Sequence, residues 1–374
     1  MIYLDNASTT PMLPCAVKTY EKYAAHNFYN PSAIYKPSVQ VKQDIIQAKQ
    51  IIKKSLGATT GEIIFTSSAT EANNLALIGS LRSNSKKIII SSAEHASIYN
   101  VAKHLEEKGL NVDFCPLQAN GQIDYEALEN MIDGNTNLIS IVHVSNETGA
   151  INDIKRISEI RNRKCKKAIL HVDGVQAFSK IKINLSYFGV DLYTISSHKI
   201  FGPKGIACLY VKNKNLIKPM IFGGGQEDNI RSGTENVPAI MSFKTAVEEI
   251  GDIQQNYEYV KQLRDLFIEN LKDLSVKINT SDNNSPYILS LCFKGVNGET
   301  LVHMLEEKEI YISTGSACSS HNSGNRVLSA MGVSNMDIRG CVRISFSKYN
   351  TKDEIITASK TLADCYCKLL DKLR

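Results

Sequence analysis

A lysine just past an apolar run, Lys199 in Ser196-Ser197-His198-Lys199, is the residue whose type and place most suggest chemistry. The run 192–196 reads as a strand, and Phe201-Gly202-Pro203-Lys204-Gly205 turns the chain back toward another. Open parallel sheets bind ligands at the carboxyl ends of their strands, and a lysine in such a crevice can bond to an aldehyde. One strand-helix-strand unit earlier, Asp173 ends the preceding strand in His171-Val172-Asp173-Gly174-Val175-Gln176. Each residue alone has an ordinary reading, since most such lysines are solvated and an aspartate there can cap a helix. Together they are what pyridoxal 5'-phosphate needs: an acid that keeps the pyridine nitrogen protonated, making the ring an electron sink, and an amine that holds its aldehyde.

Other residues converge on the same sheet edge. In Thr66-Ser67-Ser68-Ala69-Thr70-Glu71-Ala72-Asn73-Asn74, small hydroxylated residues lead from a strand into a helix over 72–81, whose first turn offers N–H groups and a positive dipole end to a phosphate. Ser196 and His198 can add donors. His95, after Glu94, can lie on a cofactor ring, and Asn146 in Ser145-Asn146-Glu147-Thr148-Gly149 can reach a ring oxygen or substrate. Cys318 sits in Thr314-Gly315-Ser316-Ala317-Cys318-Ser319-Ser320, a polar, glycine-bearing setting that suits a reactive thiolate better than a buried small hydrophobe.

These residues need a scaffold, and the period of the sequence supplies one. Between about residues 60 and 212, apolar runs at 63–65, 87–91, 112–116, 138–144, 168–172, 192–196 and 206–211 alternate with helical periodicity at 97–108, 125–131 and 154–161. That pattern predicts an α/β fold whose mostly parallel sheet is flanked by helices. A long helix over 239–273 is expected to connect it to a smaller α+β C-terminal domain, with strands at 287–293 and 342–346 and helices at 298–307 and 352–373. The expected division is an N-terminal segment, 1–15, packing with the small domain; a large cofactor-binding domain, 16–250; and a small domain, 251–374. The last carries a mobile loop at about 313–326, rich in Ser, Gly and Asn.

A net charge of +5 over 43 basic and 38 acidic residues is too mild to predict direct nucleic-acid binding. No signal peptide and no membrane-length apolar run is read, so a cytoplasmic protein is expected. Nine cysteines without regular spacing fit a reducing compartment in which thiols stay free, and no metal site is expected.

The ordered set of motifs resembles the NifS/IscS-type cysteine desulfurases, class V aminotransferase-like enzymes with the type I pyridoxal-phosphate fold. It runs from Tyr3-Leu4-Asp5-Asn6-Ala7-Ser8-Thr9-Thr10-Pro11 through Ala69-Thr70-Glu71-Ala72-Asn73-Asn74, Glu94-His95, Asn146-Glu147-Thr148-Gly149 and Ser196-Ser197-His198-Lys199. It continues through Gly223-Gly224-Gly225-Gln226-Glu227 and Arg231-Ser232-Gly233-Thr234 to Gly315-Ser316-Ala317-Cys318, nearly the whole chain. The resemblance implies that Lys199 carries the cofactor, Asp173 pairs with its ring nitrogen, Gln176 touches the ring hydroxyl and His95 stacks on the ring and shuttles protons. Ala69, Thr70, Ser196 and His198 would hold the phosphate. Thr234 would reach a phosphate across a homodimer interface, giving shared active sites. Asn146 and Arg343 would clamp the carboxylate of substrate L-cysteine. Cys318 would take the sulfur as a persulfide, leaving L-alanine, and pass it to an acceptor protein, either an iron–sulfur scaffold or a tRNA-thiolating enzyme.

The chain departs from the family pattern in places. Ser68 and Ser197 stand where glycine is usual, which puts the backbone near the phosphate in question, and Tyr35 stands where histidine is common. The stretch after Cys318 lacks the usual Glu-Pro-Ser, which leaves the acceptor open. A selenocysteine lyase and an ordinary aminotransferase of the same fold are the enzymatic alternatives; a non-catalytic binding subunit would have no use for Lys199, Asp173, His95 and Cys318 together.

Overall fold

The apolar runs between residues 60 and 212 form one seven-stranded sheet in the structure, a computed structural model that describes every residue except 282, 315–324 and 374. Cys318 therefore lies outside the described residues, as does most of the expected loop. After a short N-terminal strand β1 (Ile2–Tyr3), the sheet contains β2 (Glu62–Thr66), β3 (Lys87–Ser91), β4 (Asn111–Cys115), β5 (Thr136–Val142), β6 (Ile169–Asp173), β7 (Leu192–Ser196) and β8 (Ala207–Val211). Their order is β2-β8-β7-β6-β5-β3-β4. The five strands from β4 to β7 run parallel, while β8 is antiparallel to both of its neighbours. The reversal follows from chain length, because a parallel return needs a crossover of about a dozen residues or more and the β7–β8 turn is shorter.

Successive side chains of a strand point to opposite faces. Ile63, Phe65, Ile89, Leu170, Val172, Tyr193 and Ile195 accordingly belong to one core, and Ile64, Ile88, Ile90, Leu138, Leu192 and Leu209 to another. Helices Ala69–Gly79 and Ala96–Glu107 cover the second face; Lys36–Ser55, Ile154–Cys165 and Val237–Glu248 cover the first. The expected connector over 239–273 is two helices, Val237–Glu248 and Ile253–Glu269. Gly251 breaks it at φ +73°, and Asp252 caps the second helix by accepting the N–H groups of Gln254 and Gln255.

Four further strands, β9 (Val276–Ile278), β10 (Ile288–Phe293), β11 (Ile310–Tyr311) and β12 (Cys341–Ser345), build the smaller unit. Three make an antiparallel sheet in the order β12-β10-β9, packed by helices Ile253–Glu269, Gly298–Glu306 and Lys352–Leu373 around their own core. The N-terminus runs into this unit: β1 pairs in parallel with β11, Leu4 is fully buried in its core, and Asn6 Nδ2 donates to Ser345 O at 3.0 Å. On those contacts we propose that residues 1–15 go with the small domain and that the chain divides near residue 250. Cys292 and Cys341 are register partners on β10 and β12 and are joined as a disulfide, which corrects the expectation that every thiol is free. Strand register, invisible over a separation of 49 residues, brings them together. No helix among the described residues is long and apolar enough to cross a membrane.

Two histidines lie wholly inside the large unit. His171 pairs with the hydroxyls of Ser140 and Thr194 at 2.8 and 3.0 Å, and His143 with that of Tyr193 at 2.7 Å. Burial pushes both down from the ordinary 6.5 to about 3. Below pH 6.5 the unfolded chain therefore binds more protons than the folded one. The stabilisation from neutral burial is complete above that pH and is lost as pH falls toward 3, at a cost of about 2 kcal/mol per histidine by pH 5. The urea midpoint is expected to drop between about pH 7.5 and about pH 5, and to drop less in His171→Gln. Equal drops in the two proteins would show that His171 does not carry this dependence.

Candidate active site

The carboxyl ends of β3, β5, β6 and β7 open into a cleft of about 600 Å³ that the small unit closes from the side. Ala69, Thr70, His95, Asn146, Asp173, Gln176, His198, Lys199 and Arg343 all line it. Ser196 ends β7 buried and does not line the cleft, and Thr234, on an exposed loop, does not line it either.

Lys199 ends a single 3-10 turn after β7, and its Nζ donates to the carbonyls of Ala7 at 2.7 Å and Ser8 at 2.6 Å. The N-terminal segment thus forms part of the wall that places the amine. Asp173 is held from both sides: Val175 N–H donates to Oδ1 at 3.0 Å and Asn73 Nδ2 to Oδ2 at 2.9 Å. Asn73 also donates to Ser97 Oγ, which meets His95 Nδ1 at 2.9 Å. His95 is the N-cap of helix Ala96–Glu107, and its Nδ1 accepts the Ser97 backbone N–H at 3.1 Å. That bond leaves the ring proton to Nε2 in the neutral imidazole. Burial lowers the proton affinity of His95; Asp173 opposes this and the Lys199 ammonium reinforces it. Burial, and after it the Asp173 carboxylate, raise the proton affinity of Glu94 beside it well above the ordinary carboxylate value. His198, whose Nδ1 is 3.1 Å from Thr9 Oγ1, is lowered to about 4 by burial and by Lys199.

Arg343 enters from β12. It donates to Asn146 O at 2.9 Å, to Asp5 Oδ1 at 3.0 Å and to Ser8 Oγ at 2.8 Å, while its buried Nε has no partner among the described residues. A guanidinium with an unused buried donor is suited to accept a carboxylate.

The two serine departures fit locally. Ser68 has an extended backbone, φ −163°, open to any residue, and its Oγ accepts Glu71 N–H at 3.1 Å as the N-cap of helix Ala69–Gly79. Ser197 is fully buried in the turn before Lys199, and a Cβ on Gly202 would come within 2.1 Å of its Oγ. A side chain at 202 would force the Ser197 hydroxyl to move.

Pyridoxal phosphate fits these residues. An acid fixed by two donors at the cleft floor, an amine across from it, a helix first turn and an imidazole are the donor set it needs, and the orphaned Arg343 Nε marks a place for an anionic substrate group. Sequence reasoning missed the supporting residues. Asn73 and Asp5 lie inside family motifs in which neither has an expected role, Ser97 stands two residues after His95, and Glu147 follows Asn146. Asn325 Nδ2 donates to Glu147 Oε2 at 2.9 Å, and Arg326 donates to the carbonyls of Ser92 and Glu94, tying the helix Arg326–Ala330 to the turn that bears His95.

The model of the aminotransferase class-V family matches residues 2–357, and the chain belongs to that family. Cysteine desulfurase IscS 1 of Archaeoglobus fulgidus is 37% identical over 366 residues, 95% of this chain and 94% of that one. Cysteine desulfurase IscS of Rickettsia africae is 36% identical over 384 residues, 100% of this chain and 92% of that one. A solved NifS-like protein superposes with a TM-score of 0.92 at 32% identity, covering 97% of this chain and 98% of that one. These relatives place the chain among the NifS/IscS-type cysteine desulfurases, which depend on pyridoxal phosphate.

Proposed function

We propose that this enzyme converts L-cysteine to L-alanine, takes the sulfur onto Cys318 as a persulfide and passes it to an acceptor protein in the cytoplasm. The observation that carries the reading is the convergence of Lys199, Asp173, His95 and Arg343, from β7, β6, the turn after β3 and β12, on one cleft. The nearby fold of SspA, solved in complex with cysteine, supports the same substrate class; its TM-score is 0.83 at 32% identity, over 94% of this chain and 100% of that one.

When bound, the cofactor supplies an electron sink for the pair left at the substrate α-carbon. Asp173 keeps the sink protonated, with Asn73 and Val175 fixing its carboxylate. Gln176 and Asn146 address the ring oxygen, and the Ala69–Thr70 turn with His198 addresses the phosphate, while Ser196, buried at the end of β7, does not reach the cleft. Arg343 and Asn146 hold the substrate carboxylate. Lys199 Nζ removes the α-proton, and His95, with its proton on Nε2, exchanges a proton with the substrate sulfur or the departing carbon. The Cys318 thiolate attacks that sulfur; the Cβ–Sγ bond breaks, a disulfane S–S bond forms on the enzyme, and the carbon fragment gains protons to become alanine. The exposed position of Thr234, outside the lining of its own cleft, supports its service to a partner site in a homodimer. The acceptor is an iron–sulfur scaffold or a tRNA-thiolating enzyme.

The test is product release from L-cysteine by the cofactor-loaded protein with a thiol reductant. Alanine and sulfide in equal amounts are expected. A large preference for L-selenocysteine would make the enzyme a lyase for selenium, and a sulfur-bearing 2-oxo acid formed without alanine or sulfide would make it an aminotransferase.

A further inference from the structure

Gln176 and Lys180 are four residues apart on the helical turn that follows β6, a spacing that sets one side chain behind the other. Lys180 is almost fully buried, at 6% exposure, and its Nζ donates to Gln176 Oε1 at 2.6 Å. A buried ammonium is ordinarily matched by a carboxylate; this one is set against a neutral amide. The amide is thereby oriented. Its oxygen is taken by Lys180, and its Nε2 donates to Ala7 O at 2.8 Å. Ala7 O is also an acceptor for Lys199 Nζ at 2.7 Å. Three hydrogen bonds thus join the two lysines, Lys180 to Gln176 to Ala7 and back to Lys199.

The consequence concerns what Gln176 presents to the cleft. A glutamine amide can turn either its oxygen or its nitrogen to a ligand, and with Oε1 committed to an ammonium only N–H remains. The charges around Lys180 do not neutralise it locally. Lys199 and Arg343 both lower its proton affinity, and burial lowers it most, to about 7. Glu249, Lys348 and Tyr349 line the small cavity it shares with Lys199, and the Lys348 ammonium is engaged by the carbonyls of Glu249 and Ile250.

We propose that Lys180 is a positioning residue: its hydrogen bond to Gln176 Oε1 fixes the amide as a donor toward the cofactor's ring oxygen. This rests on the cofactor reading above, and it assigns a role to a buried charge that touches neither substrate nor cofactor.

The measurement is the pH titration of the bound cofactor's absorbance in the intact holoenzyme, from neutral to alkaline pH. Lys180→Met is expected to raise the midpoint by about one pH unit. Lys180→Arg is expected to bring it most of the way back. In a Gln176→Ala background, Lys180→Met is expected to shift it by less than half as much, because the hydrogen-bonded link is gone. Should Lys180→Met not fold, Lys180→Leu likewise removes the donor to Gln176 and is expected to raise the midpoint in the same way. A loaded Lys180→Met or Lys180→Leu protein that titrates at the parent midpoint overturns the inference and leaves the cofactor reading intact. A parent protein that shows no cofactor band overturns the cofactor reading itself.

Discussion

Lys199→Ala is expected to lower alanine formation from L-cysteine by more than about 1,000-fold, with the fold retained. The amine has two jobs in the proposed reaction, holding the cofactor's aldehyde and moving the α-proton, and the substitution removes both. The variant's structure should survive because Lys199 is the last residue of a short 3-10 turn whose backbone bond, Ile200 N–H to Ser197 O at 3.0 Å, does not involve the side chain. Its loss leaves Ala7 O to Gln176 Nε2 and takes the Lys199 donor from Ser8 O, and both residues line the cleft. The check has two parts: alanine production at saturating cysteine, and retention of pyridoxal phosphate through gel filtration. The variant should lose the cofactor where the parent keeps it. Alanine production within tenfold of the parent would remove Lys199 from the reaction.

Cys318→Ala is expected to abolish sulfide release and to lower alanine release with it, by about 100-fold or more. The two products fall together because the carbon–sulfur bond breaks only when a thiolate takes the sulfur. No cysteine among the described residues lines the cleft. Cys115, Cys165, Cys208 and Cys365 are buried, and Cys15 and Cys367 stand away from it. Burial also raises the Cys115 thiol to about 12 and pushes Cys208 up further, so neither is ionised at neutral pH. No described thiol is placed to replace Cys318. Quantifying alanine and sulfide from parent and variant, with a thiol reductant present, decides the matter. If both proteins release alanine equally, Cys318 is not the sulfur carrier, and only the fold and the cofactor chemistry stand.

Lys199 is held at the cleft by the carbonyls of Ala7 and Ser8. Cys318 lies outside the described residues, and its role rests on the motif around it. The helix that follows, Arg326–Ala330, is fixed: Asn325 caps it through Leu328 N–H at 3.1 Å, and Arg326 stacks its guanidinium 4.0 Å over the Tyr99 ring. The chain therefore returns from the cysteine segment to a defined point beside His95, even though the family's usual Glu-Pro-Ser is missing there.

Much of the scaffold was legible because local pattern and local structure coincide in a doubly covered parallel sheet. Strands buried on both faces must be apolar throughout, as Ile88, Ile89 and Ile90 are, so the runs appear directly, within two residues of their ends. Residues that follow such runs, Lys199, Asp173, His95 and Asn146, are brought to one edge by parallel topology alone, and this is why motif and position agreed. The helix over 239–273 was misjudged for a related reason, since the periodicity continues on either side of Gly251 and only the positive φ there reveals the break.

By itself the sequence determined the elements, the sheet edge that carries the chemistry and the identities of the residues that gather there, because period, turn residues and motifs act over a few positions. Only the tertiary structure decided the partners. Asn73 reaches Asp173 across 100 residues, Asp5 reaches Arg343 across 338, and Cys292 meets Cys341 through strand register. Lys180 shows the same division at short range: its spacing from Gln176 was readable, but its burial and the orientation it imposes were not. Hydrogen bonds and buried charges are set by which surfaces the packed sheet and the small unit bring together, and no local pattern encodes that.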